Sequence, residues 1–582
     1  PMVASLCCSL ATLLRFAGAP PVSAGALAGT SASQDSVQLV QAARRAQATF
    51  EATRRFSLPQ GAGSSSARCD TRIGRFCYWP DEPGDSGPAE PTRISQARDR
   101  LVAVLDSAAA LLPGDPWIAG QRVRYLLDAG RPRAALAAAR DCRAVVWWCE
   151  ALVGLARHTA ADFPGADSTF EAALRAMPPA ERCRWSDISP LLDGTLRREY
   201  ARSTCEARQA LTDRWWWLAT PLFSRRGNDR RTEHFARVAW AEILQDGVNP
   251  FGVGWADDLR ELLVRYGAPT RWSAHRQTWA GDDPGIVGRS PGGPGYQFGP
   301  ALHALAAPAN ARPADWNLVA LQAREQYAPP YAARFVTLPH QVAVFRHGDS
   351  AIVVAAYELS PDTPFAERSS EAALVLAREG APPVVARHDL VARRRDVLVA
   401  AAPWGPLLVS LEVVAARERS VARARSGLRW HDDGGGSHRT GRVSLSDILL
   451  FDPPTTLPAS LAEAVPLAHG SERVLQAKRL GLFWELYGLD LGGEAVTARL
   501  ALTAEGRGWL RRVAESVGLV ARHRAVELRW VEVPSASGGV AARALALDLG
   551  GVKPGRYRIE LSVTLGGQDP LTATREIEVV AR

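Results

Sequence analysis

Lysine and methionine are nearly missing from this chain. Of its 69 basic residues only Lys478 and Lys553 are lysines, and Met2 and Met177 are the only methionines. Mechanism-bearing motifs are missing too. There is no P-loop, no dinucleotide glycine fingerprint, no H-E-x-x-H helix and no EF-hand loop, so the sequence points to no cofactor and no metal. None of the eight cysteines forms a C-x-x-C pair, which removes the zinc-ribbon and thioredoxin-like classes. Beyond the first residues no stretch reaches 18 consecutive apolar residues, so no later segment is expected to span a membrane.

What is present is ordinary for a folded protein. The chain has 582 residues, 47% apolar and 22% charged, and at ~150 residues per domain it holds roughly four units. The net charge is +8 and the pI about 9.3. Such values invite a nucleic-acid reading, which requires the basic residues to gather on one stripe. Here they are dispersed among 61 acids, with only short runs at Arg225-Arg226, Arg230-Arg231 and Arg393-Arg394-Arg395. Abundant Ala, Gly and Pro beside scarce Lys and Met fit a GC-rich coding bias, and no nucleic-acid partner is expected.

Residues 2–14 (MVASLCCSLATLL) are apolar, and Val22-Ser23-Ala24 and Ala26-Leu27-Ala28 fit a small-x-small cleavage pattern. Residues 1–28 are therefore read as a signal peptide and the protein as periplasmic or secreted, the rival being a buried helix. Six further cysteines follow: Cys69, Cys77, Cys142, Cys149, Cys183 and Cys205. Sequence order suggests the pairs 69–77, 142–149 and 183–205, although six cysteines allow 15 pairings and buried free thiols remain the alternative. Cys142 and Cys149 cannot bridge along one straight helix. Seven residues rise ~10.5 Å, whereas a disulfide needs Cα atoms within ~7 Å. A turn between two helices there removes the obstacle.

Residues 29–90 read as a helix, at 36–56, followed by a linker with an Ω-like cysteine loop at 69–79. From 91 to 206 the pattern is helical and alanine-rich. Gly154, Ala166, Phe170, Ala173 and Pro178 keep the spacing of small and aromatic residues that interlock a helix pair, with a weaker upstream set at Tyr125, Gly130, Ala134 and Ala138. This resembles the tetratricopeptide repeat, which implies a concave protein-binding surface. Residues 207–330 contain Trp215-Trp216-Trp217, then Asn228 and Arg231 on a helix, then Gly254-Trp255-Ala256-Asp257-Asp258 and Tyr266-Gly267-Ala268-Pro269. Three adjacent tryptophans cannot share one helix face, so at least one is expected inside and another at a surface or junction. The segment resembles the bacterial GWxTD-domain proteins, with Asp257 in place of the motif's threonine. The resemblance implies a domain type, and no activity.

Beyond 331 the chain turns to strands. Gln341–Arg346 and Ala351–Tyr357 flank the turn His347-Gly348-Asp349-Ser350, and similar runs recur to Val580. Two β-rich units are expected, 331–460 and 461–582, as antiparallel sandwiches; Gly551–Ile559 resembles the late hairpin of immunoglobulin- or fibronectin-like modules. The fold class read from the sequence is thus multidomain α+β: an N-terminal helical repeat, a central α+β module and a C-terminal β-sandwich region.

Three chemical motifs are weak. Gly84-Asp85-Ser86-Gly87-Pro88 resembles the nucleophile segment of trypsin-like proteases, yet no histidine precedes His158, and that triad needs its partners. Gly348-Asp349-Ser350 suits a tight turn better than an esterase nucleophile. His431, Asp432, Asp433 and His438 surround three glycines and lack metal-ligand spacing. The best polar constellation is in the central module. His234, Asp257 and Asp258 are candidates for acid–base work; Arg230, Arg231, Trp255, Arg260 and Tyr266 are candidates for binding. The competing reading is architectural, with Trp255 filling the core and Asp258 capping its helix or pairing with Arg231. Two functions follow: an exported, non-enzymatic interaction or scaffold protein that meets a protein partner through its helical-repeat or β-sandwich surfaces, or an extracytoplasmic hydrolase. The oligomeric state stays open.

Overall fold

A computed structural model describes residues 25–60, 70–78, 87–274, 285–289, 295–319, 323–360, 365, 370–388, 394–428, 443–476, 478–489, 495–505, 524–534, 539–566 and 569–581. Residues 1–24 with most of the expected signal peptide, Cys69, Gly84-Asp85-Ser86 and the loop 431–439 lie outside the described residues. The first helix, α1 (Gly25–Ser57), is longer than the periodicity indicates and begins within the expected leader.

Helices fill the first half. They are α2 (Thr92–Leu111), α3 (Pro116–Asp128), α4 (Pro132–Arg140), α5 (Val146–Thr159), α6 (Phe163–Ala176), α7 (Pro179–Trp185), α8 (Gly194–Arg202), α9 (Cys205–Ala219), α10 (Asp229–Gln245) and α11 (Asp257–Tyr266). Local sequence sets their ends. Asp115 accepts from the Ile118 N–H at 2.8 Å, Asp162 from Gly165 at 3.0 Å and Asn228 from Arg231 at 3.0 Å, each satisfying a first-turn donor. Gly267, at φ +87°, ends α11. Between α5 and α6, a Cβ on Gly154 would sit 2.8 Å from the Phe170 ring, so only glycine lets that ring in. Cys142 lies in the turn after α4 and Cys149 in the first turn of α5; they are bonded, with Cα atoms 5.6 Å apart. Cys183 and Cys205 are bonded as well, tying α7 to the start of α9. Cys77 is disulfide-bonded. Its loop is a β-hairpin rather than an Ω-like loop, pairing β1 (Thr71–Ile73) with β2 (Phe76–Tyr78) around Gly74.

A second small hairpin, β3 (Arg271–Ala274) with β4 (Ile286–Arg289), follows α11. The second half is built of mostly antiparallel sheets. Strands β6 (His340–His347), β7 (Ser350–Glu358) and β10 (Arg395–Pro403) form one sheet. A five-stranded sheet joins β5 (Arg334–Thr337), β8 (Ser370–Ala377), β9 (Val384–His388), β11 (Leu407–Ala415) and β12 (Ser420–Leu428). In a third sheet, β13 (Ser444–Leu445), β14 (Leu449–Phe451) and β19 (Val540–Asp548) pair with β16 (Arg479–Tyr487). The last sheet runs in the order β15 (Arg473–Leu475), β21 (Leu571–Val580), β20 (Gly555–Leu565), β17 (Val496–Ala504), β18 (Arg524–Glu532).

Apolar clusters stack these layers. One face of the five-stranded sheet, through Val375, Leu408 and Val421, joins the helical core. Its other face shares a cluster with the β6–β7–β10 sheet through Leu374, Leu411 and Val353. That sheet meets the third through Phe345, Phe451 and Phe483, and the third meets the last through Leu482, Leu500 and Leu561. A strand covered on both faces carries near-continuous apolar residues, as β11 does; a strand of the outermost sheet alternates, as β21 does.

The helices are fastened to the sheet by charge. Glu412 on β11 accepts the Phe223 and Ser224 N–H groups at 2.9 and 3.0 Å. Arg425 on β12 donates to the carbonyls of Leu218 and Thr220, and Arg423 to that of Pro221. All three side chains are buried. The C-terminal carbonyls of α9, orphaned within the helix, thus end on a β-strand.

Candidate functional site

Helix α10 is the axis of the candidate site. Packed against α5, α6, α9 and α11, it buries not only Phe235, Val238 and Ala239 but also Asp229, Arg230, Thr232, His234 and Arg237. A buried charge is tolerated only when paired: Arg230 and Asp229 find partners far away in sequence, and Arg237 pairs with Glu233 one turn earlier.

Arg230 is fully buried, and its Nε donates to Glu325 at 2.9 Å. Glu325 also accepts the Phe298 and Gly299 N–H groups. The guanidinium lies over the rings of Trp215 and Trp216, 5.9 and 5.6 Å from their centroids. Arg231 points the other way, to Asp167 at 2.6 Å and Glu171 at 3.3 Å on α6. The adjacent arginines therefore form no common anion site.

His234 is enclosed by Trp216, at 4.9 Å between ring centroids, and Phe235. Burial, and next the Arg230 charge, hold its imidazole well below the ordinary histidine range. It stays neutral, and among the described residues no hydrogen bond joins it to either aspartate. Asp258 serves the cysteine hairpin instead. It takes Arg75 Nε and Nη2 at 2.8 Å each, and the Arg75 N–H at 3.0 Å. The Arg75 hydrogen bonds hold its carboxyl down at about 2. Gly74 makes this approach possible, since a Cβ there would lie 2.4 Å from that of Asp258. Pairing of Asp258 with Arg231 is thus replaced by pairing with Arg75, and Trp255 sits half-buried at the edge of the α11 cluster rather than filling the core.

Asp257 is exposed at the first turn of α11, where its charge suits the helix dipole. Arg260 is half-buried. Tyr266 stacks on Tyr78 at 3.6 Å, and its hydroxyl donates to the Ala323 carbonyl. Of the three tryptophans, Trp215 and Trp216 are both buried and Trp217 is half-buried.

A second set of groups surrounds the start of α10. His158 on α5 contacts Thr232 through Nδ1 at 2.9 Å and Glu233 through Nε2 at 2.6 Å. Burial opposes ionisation of Glu233, but Arg237, at 2.5 Å, and His158 outweigh it and hold the carboxyl below its usual range. Asp229 accepts the Tyr331 hydroxyl at 2.9 Å. Burial raises its carboxyl to about 6 against that bond and the His158 charge. Burial, followed by the Asp229 charge, pushes the phenols of Tyr327 and Tyr331 well above their ordinary value. These groups could exchange protons, but they are wedged between α5, α10 and the segment that leads into β5.

A cavity of about 290 Å³ lies elsewhere, between α2, α3 and α4, beside Asp106, Asp115, Arg122, Asp141 and Cys142. Among the described residues no group of three or more His, Cys, Asp or Glu is arranged to hold a metal ion, and no helix is long and apolar enough to cross a membrane. That and the bonded cysteine pairs are compatible with an exported protein.

Sequence reasoning finds the helix at Asn228 and Arg231 but misses His158, Glu233, Arg237, Glu325 and Arg75. Only the Glu233–Arg237 step of four carries a local signal. The chain matches no protein-family model and no curated protein.

Proposed function

We propose that this chain is an exported, non-enzymatic interaction or scaffold protein of the GWxTD-domain type. In this reading a tetratricopeptide-like helical region leads into the central module, and β-sandwiches follow. The observation that carries the proposal is the fate of the polar constellation. Arg230, Arg231 and Asp258 each close an ion pair with a different element, and His234 is sealed among aromatic rings. The geometry gives no support to a hydrolase built on His234, Asp257 and Asp258, because nucleophile, base and orienting group must lie within hydrogen-bond reach of one another.

The helical layer is the better place for a protein partner. The Arg143 N–H donates to the Pro113 carbonyl at 2.8 Å, which brings the α2–α3 and α4–α5 turns together. There Leu111, Val145 and Val146 stand exposed beside the cavity. Affinity capture from an extracytoplasmic fraction, comparing the full chain with Leu111→Asp/Val146→Asp, tests the reading. The expected result is one partner retained by the natural chain and lost by the variant. Failure of the natural chain to retain any partner counts against it.

A further inference from the structure

Strand β18 forms one edge of the outermost sheet; among the described residues its only strand partner is β17. It is nine residues long, Arg524-Ala525-Val526-Glu527-Leu528-Arg529-Trp530-Val531-Glu532, and contains no proline. Free N–H and C=O groups along an edge template pairing with another chain, and proline or bulges normally blunt them; here the ladder's irregularity is confined to the Ala525 end, which leaves Val526–Glu532 regular. Leu528 and Val531 are exposed, as is Val533 just beyond the strand.

The order of residues in β18 is self-complementary. Antiparallel pairing of two copies about Leu528 places Glu527 of each opposite Arg529 of the other. The same register sets Leu528 against Leu528 and Val526 against Trp530, within the regular part of the strand, Val526–Glu532. Opposed residues always lie on the same sheet face, because antiparallel partners share parity about the two-fold axis. Val526 and Trp530 already pack against the core below, so the paired edges would continue that apolar layer and cover Leu528. On the outer face Glu527 already takes Arg499 at 2.8 Å and Arg529 at 3.3 Å. The two-fold axis would join two such clusters into one alternating row.

We propose that the chain forms a two-fold symmetric homodimer through antiparallel β18–β18 edge pairing, merging two five-stranded sheets into one. A symmetric interface must be complementary to itself, and this strand's charge order meets that demand. The inference is independent of the scaffold reading, since an enzyme could dimerise in the same way.

Sedimentation velocity of the full chain over a concentration series tests it. The natural chain is expected to shift reversibly from the 62.7 kDa monomer to twice that mass. Glu527→Arg alone sets arginine against arginine at both positions, and Arg529→Glu alone sets glutamate against glutamate; each is expected to remain monomeric. Mixing the two variants restores both attractive pairs and should return a one-to-one dimer, which also shows that both are folded. A natural chain that stays monomeric throughout, or a dimer that survives in both single variants, overturns the proposal.

Discussion

The two halves of the molecule solve burial differently. In the helical half the interior is threaded with charge: Glu51, Arg54, Arg98, Arg124, Arg230, Arg237, Arg265 and Glu325 are all buried. Arg124 donates to Glu51 at 2.6 Å, Arg54 and Arg98 share Asp128, and Arg265 meets Glu261 at 3.0 Å. In the last sheets the interior is hydrocarbon, with Leu482, Trp484, Leu500, Ile559, Leu561 and Val579 at its centre. Beyond position 490, Arg575 is the only buried charged side chain among the described residues. Sheets that stack by period-two alternation need only shape and hydrophobicity. Helices can slide and rotate against one another, and a buried ion pair favours one arrangement because a wrong neighbour leaves a charge alone.

The largest expected effect breaks the charged interior. Glu325→Ala should lower the stability of the helical half by about 3–5 kcal/mol, since it strands Arg230 in a dry site. In urea unfolding the double change Arg230→Met/Glu325→Leu should recover only the part of that loss that comes from the stranded charge, because the Phe298 and Gly299 N–H groups stay without their acceptor. Recovery would show that the pair specifies the packing rather than supplying its stability. In the hydrocarbon interior, Leu561→Ala should cost about 2–5 kcal/mol, with no pH dependence between neutrality and pH 4.

Asp229 gives the comparison a pH axis. Its folded value of about 6 lies above the ordinary 3.8. The protonated form is therefore favoured by folding, and its contribution is full below about pH 4 and lost as pH rises through 6. Asp229→Asn should raise stability at pH 7 by about 2–3 kcal/mol and flatten the profile of thermal midpoint against pH between 4 and 7. A variant no more stable than the natural chain at pH 7 would place the cost of the charge elsewhere. The smallest effect belongs to the outer surface of the last sheet. Arg558, paired with Glu505 at 2.9 Å in the open, should tolerate Arg558→Ala with a loss of less than about 1 kcal/mol, by the same unfolding measurement.

These differences track how much the sequence discloses. The turn at Gly348-Asp349 and the flanking strands are plain in the residues, because hairpins are local. So is the α4–α5 turn that Cys142 and Cys149 require. Other elements hide. Leu445–Phe451 reads as one strand but is split into β13 and β14 around Ser446, Asp447 and Ile448. The arginines of β12 suggest a solvated face, yet Arg423 and Arg425 point inward to carbonyls some 200 positions earlier in the chain. The candidate site fails for the same reason. Arg230 and Arg231 look like one cluster in the sequence, but consecutive residues on a helix diverge by ~100°, and their carboxylates come from opposite directions. Arginine, with its planar fork, suits such pairing better than lysine, so part of the arginine abundance is put to use in the interior.

The connection between α9 and the sheet has one more consequence. To bend at residues 220–224, the molecule would have to strip two N–H donors from Glu412 and several carbonyls from Arg423 and Arg425 together. The groups share one strand pair and one loop, so bending there strains the whole set. The joint is a clamp rather than a hinge: a load applied to the helices is carried into the sheet through buried, charge-assisted bonds.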